Sequence, residues 1–126
     1  MSTRVMNLSD LKFNVDTWKR ELRFHFNEMD TFQEQLEDIV QRETNPEALK
    51  KLEMFQNRII IEKDVISKLL QRCKDKARAI SRAYITSDYG DQLKNNHRNL
   101  GEDMRTYISM HYELKEDMMD FFLNYF

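Results

Sequence analysis

Two glycines and one proline are all the turn chemistry that 126 residues contain. So little punctuation leaves room for few connections, and therefore for a few long elements. Cysteine is just as scarce. Cys73 stands alone, which excludes an intrachain disulfide and every zinc-finger spacing. No apolar run reaches the length of a secretory leader or a bilayer-spanning helix, so the expected setting is reduced and cytoplasmic. An excess of either charge is missing too. The 20 Lys and Arg stand against 22 Asp and Glu, a net charge of −2, which argues against nucleic acid as a partner. The sequence has no Gly-rich phosphate loop, G-x-S-x-G, H-E-x-x-H or C-x-x-C, so no enzymatic activity is expected.

What the chain does have is spacing. Leu11, Val15, Trp18, Leu22, His25, Met29, Phe32, Leu36 and Ile39 recur at steps of four and three. The row continues with Leu52, Phe55, Ile59, Glu62, Ile66, Leu69, Cys73, Lys76, Ile80 and Ala83, and ends with Leu93, His97, Leu100, Met104, Tyr107, His111, Leu114, Met118, Phe121 and Tyr125. A seven-residue repeat of this strictness predicts helices packed along apolar seams, as in a coiled coil. Caps are available at Asn7 or Ser9, at Asn45 ahead of Pro46, and at Ser87 or Asp88. The expectation is one all-α domain over 1–126, an antiparallel bundle of three long helices at about 8–43, 46–85 and 88–125. At 1.5 Å per residue it is ~50 Å long. Short connections make sequential helices antiparallel.

A second apolar stripe runs beside the seam of the third helix. Ile108, Tyr112, Met119, Phe122 and Phe126 form it, interrupted by Lys115. Met54, Ile61 and Val65 add to it from the second helix, and Phe13 and Phe24 from the first. Contiguous exposed apolar residues mark an interface. They point to a homodimer, or to a helical protein partner, or to residues 1–10 folding back over the stripe. Acidic residues crowd the opposite face of the third helix, at Glu113, Glu116, Asp117 and Asp120, which disfavours a membrane surface. The charge is also uneven along the chain: residues 63–82 hold seven Lys and Arg against two Asp and Glu. Lys63, Lys68, Arg72, Lys74, Lys76, Arg78 and Arg82 read as a solvated face, or as a patch for an acidic partner.

All three histidines interrupt seams, and so does Glu62. His25 lies 19 residues before Thr44 and Glu62 lies 18 after it, while Glu62 lies 25 before Ser87 and His111 lies 24 after it. In an antiparallel bundle these three share one level, and His97 falls separately beside Lys76 and Ala77. One reading is a buried hydrogen-bonded network that fixes register. Another is a metal site: two His and one carboxylate match the ligands of catalytic zinc and of iron, with Glu21, Glu28 and Glu113 nearby. Haem held by His25 and His111 is a third. The paired Glu-x-x-His pattern of di-iron bundles is not met. The resulting expectation is a self-associating, non-enzymatic scaffold bundle without cofactors, with a zinc- or iron-binding bundle as the alternative.

Overall fold

A computed structural model describes residues 7–86 and 91–125 of the chain. Three helices make up the fold: α1 (Leu8–Arg42), α2 (Pro46–Thr86) and α3 (Asp91–Tyr125). The start of α1 is set by Asn7. Its side chain accepts from the Asp10 backbone N–H while the Asp10 carboxylate accepts from the Asn7 N–H, a reciprocal capping box. Asn45 caps α2 in turn, its Oδ1 accepting from the N–H groups of Glu47 and Ala48. Between the two helices, Glu43 Oε1 accepts from the N–H groups of Thr44 and Asn45, which tightens the turn and sends the chain back antiparallel. The expected cap at Ser87 or Asp88 lies outside the described residues, as do residues 1–6 and Phe126.

The seams close as the spacing predicts. Every residue of the α2 row, from Leu52 to Ala83, is buried. In α3 the row is buried from His97 to Phe121, while Leu93 is half-buried and Tyr125 is exposed. In α1 the exceptions are Trp18, Phe32 and Ile39, all half-buried. Each buried Leu, Ile or Phe contributes about 1.5–3 kcal/mol. The product is an all-α three-helix bundle with one continuous core.

The three seams are not equivalent. α2 packs closely against both neighbours, whereas α1 and α3 meet chiefly through long side chains. Their contacts keep a fixed register: Asn14 with His97, His25 with Tyr107 and Glu28 with His111 are 82 or 83 residues apart. A constant offset means that α1 and α3 run parallel. Large polar and aromatic groups fill the space between them, and the unusual chemistry of the chain is found there.

Candidate functional site

His25, Glu62 and His111 share one level in the interior. His111 lies between two carboxylates, with Nδ1 2.9 Å from Glu62 Oε2 and Nε2 3.0 Å from Glu28 Oε1. Glu28 in turn accepts from Lys115 Nζ at 3.0 Å. His25 lies flat on His111, centroids 3.7 Å apart. The His25 Nδ1 is 2.7 Å from the Tyr107 hydroxyl, and its Nε2 is 3.1 Å from Glu21 Oε2. Four seam positions, on all three helices, therefore enter one hydrogen-bonded layer.

Proton positions follow from the partners. Burial, aided by Glu62 and Glu21, holds the Tyr107 phenol far above its ordinary pKa, and with the Glu21 carboxylate accepting at Nε2 of a neutral ring, the phenol O–H donates to His25 Nδ1. The His25 proton is then on Nε2, donated to Glu21. Burial, then His111, pulls the His25 pKa below the ordinary histidine value, against Glu21, Glu28 and Glu62. Neutral His25 thus stacks on the ring that lies between carboxylates. Both His111 contacts run from ring nitrogen to carboxyl oxygen, so two hydrogens are needed where neutral imidazole has one. Lys115 adds a positive charge at the outer edge of the cluster of His111, Glu28 and Glu62.

In this arrangement the rings of His25 and His111 do not aim at a common centre. A metal binds the ring lone pair, which lies in the ring plane, and the planes of His25 and His111 are within 6° of parallel. Their lone pairs run side by side instead of converging. All four ring nitrogens already face Tyr107, Glu21, Glu62 or Glu28. Among the described residues, no group of three His, Cys, Asp or Glu has the arrangement to hold a metal ion. Stacking at this distance also leaves no room for a haem between the two rings. Glu113 is exposed and takes no part in the layer.

The apolar stripes fall on two different grooves. Arg58 pairs with Asp117 at 2.8 Å and Arg72 with Asp103 at 2.6 Å across the α2/α3 seam. Met54, Ile61 and Val65 share the Arg58 flank of α2 and border that groove. Ile108, Tyr112, Met119 and Phe122 share the Lys115 flank of α3, which faces α1. Tyr112, Met119, Met54 and Ile61 are exposed, whereas Ile108, Phe122 and Val65 are half-buried against the core. Phe13 and Phe24 point outward from α1, each more than 60% exposed. One partner helix cannot cover both flanks of α3 at once.

Four of the seven cations of the basic block have acidic partners. Lys63 pairs with Asp30, Lys68 with Asp64, Arg72 with Asp103 and Arg78 with Asp75. Lys76 is buried and donates to the Leu93 carbonyl oxygen, and desolvation lowers its pKa to about 8. Lys74 and Arg82 are exposed and have no acidic partner among the described residues.

One level toward the start of α1 lies His97, the separate feature anticipated beside Lys76. Asn14 Nδ2 is 3.0 Å from its Nε2, and the Trp18 indole packs on the ring with centroids 4.9 Å apart. Asn14 Nδ2 can only donate, so Nε2 accepts and the ring proton is on Nδ1. That buried Nδ1 has no partner. Desolvation, helped by Lys76, lowers the His97 pKa to about 4.

Tyr107 and Lys115 escape sequence reasoning as members of the polar layer, because an aromatic on a seam and a lysine beside one read as packing and solvation. The signal for Lys115 was its isolation within an apolar stripe. No protein-family model, no curated protein and no solved structure matches the chain.

Proposed function

We propose that the chain is a non-enzymatic interaction module that self-associates through the flank of α3 beside α1, the one that carries Ile108, Tyr112, Met119 and Phe122. What supports this reading is the exposure of large apolar side chains on that flank, Tyr112 at 53% and Met119 at 62%, in line with half-buried Ile108 and Phe122. Four such residues at helical spacing present a strip that a second helix can cover. The parallel pair α1 and α3, spread by their long side chains, gives that helix a shallow bed. The polar layer, in this reading, sets helix register and leaves the association to the surface. The module acts in the cytoplasm without a cofactor.

Light scattering on the eluting protein tests the assignment of the face. Met119→Asp or Tyr112→Asp removes association, while Met54→Asp and Ile61→Asp, on the other flank, leave it intact. Loss of association in the Met54 and Ile61 variants alone moves the contact to the α2/α3 groove.

A further inference from the structure

We propose that the groove around Trp18 and His97 binds a small aromatic oxyanion, with the charged group at Arg98 and Arg105 and the flat body against the Trp18 indole. The groove between α1 and α3 is open to solvent and has a volume of about 410 Å³. That is within the size range of small-ligand sites.

Three observations converge on this chemistry. The first is charge. Arg98 and Arg105 both line the groove, and neither has an acidic partner among the described residues, whereas Arg58, Arg72, Lys63 and Lys115 are all paired. Glu102 also lines it, one carboxylate against two guanidinium groups, so the excess is positive. Guanidinium matches a planar or tetrahedral oxyanion through paired N–H donors.

The second is shape. A Cβ at position 101 would meet Trp18 Cζ2 at 3.4 Å. The indole therefore lies within van der Waals reach of the α3 backbone at Gly101. The groove beside it, also lined by Ile108, stays open. An indole face next to free cations suits a flat aromatic body.

The third is the unpaired donor. His97, 5% exposed, lines the same groove and keeps one buried N–H without an acceptor. Buried polar groups are nearly always paired, and an exception calls for an explanation. His97 thus stands at the edge of the groove with hydrogen-bonding capacity that no protein group uses.

The chain supplies its own reporter, because Trp18 is the single tryptophan. Phenyl phosphate is titrated into the full chain while Trp18 emission and the indole N–H resonance are followed. The expected result is a saturable change at submillimolar concentration. Inorganic phosphate, which lacks the aromatic body, and benzyl alcohol, which lacks the charge, each bind at least about tenfold more weakly. Arg98→Gln with Arg105→Gln alters two exposed side chains outside the core and weakens phenyl phosphate by about tenfold or more, the loss expected for charge-assisted hydrogen bonds. Three results overturn the proposal: no saturable change up to about 10 mM, a weak-binding limit of a few kcal/mol; equal binding of inorganic and phenyl phosphate; or unchanged binding in the double variant. Ile108 borders both the groove and the proposed contact flank, so the titration is repeated on Met119→Asp, where binding of phenyl phosphate persists if the groove itself is the site.

Discussion

His25 and His111 stack face to face, their centroids 3.7 Å apart and their planes 6° from parallel. Two imidazolium rings in that position would repel strongly in a poorly solvated interior. The chain avoids this by giving the two rings different partners. His25 receives a hydrogen from Tyr107 and gives one to Glu21, which suits a neutral ring. His111 has carboxyl oxygens at both nitrogens. Each member of the layer depends on its neighbours, and the predictions follow from that dependence.

Replacing His111 with leucine suits the apolar seam in shape but strands Glu62, which is 4% exposed and has no other hydrogen-bond partner among the described residues. Removing one side of a buried pair of this kind costs about 3–5 kcal/mol. Urea unfolding of His111→Leu measures that loss. Adding Glu62→Leu restores part of it, because an apolar pair replaces the stranded carboxylate. A double variant no more stable than the single one would show that Glu62 is satisfied without His111.

Acid should destabilise the bundle through His97. Its pKa of about 4 in the fold lies below the unfolded value of 6.5, so the unfolded chain takes up the proton first as pH falls. The stability held above pH 6.5 is lost progressively down to about pH 4, on the order of 2–3 kcal/mol from this residue. Lys76 is the charged group facing it from α2, and Asn14 and Trp18 face it from α1. His25, also lowered, adds loss of the same sign below pH 6.5. Thermal melts of wild type and His97→Gln across pH 4–7 isolate the His97 share. The variant should show a flatter profile, and identical profiles would refute the assignment.

Cys73 reports opening of the core. It is fully buried on the α2 seam, and desolvation raises its thiol pKa to about 11 against the pull of Lys19 and Arg72. The thiolate is the reactive form. At pH 8 a thiol reagent should therefore modify the folded chain at least about 100-fold more slowly than the chain in urea. Labelling at similar rates in both states would place Cys73 outside the core.

Periodicity made the fold legible because three rows of apolar residues, broken by one proline and capped by Asn7 and Asn45, leave little choice of architecture. Counting residues from the turns was also enough to bring His25, Glu62 and His111 to one level, since antiparallel helices share a rise per residue. Counting gives height but not ring orientation. Whether two histidines converge on a point or lie flat on each other is set by Tyr107 and Glu21 on one ring and by Glu28 on the other. The apolar stripes illustrate a similar limit. Met54 and Met119 look alike in sequence, yet the ion pairs Arg58–Asp117 and Lys115–Glu28 put them on opposite flanks of α3. The groove at His97 was invisible for another reason: an unpaired donor is defined by what surrounds it, and spacing does not report surroundings.

Self-association through α3 is most directly tested by sedimentation equilibrium of the unaltered chain over a range of micromolar concentrations. A mass of twice 15.4 kDa that falls to a single 15.4 kDa on introducing Met119→Asp is the predicted result. A mass of 15.4 kDa for the unaltered chain at every concentration would contradict it, and the exposed flank of α3 would then have no second copy to meet.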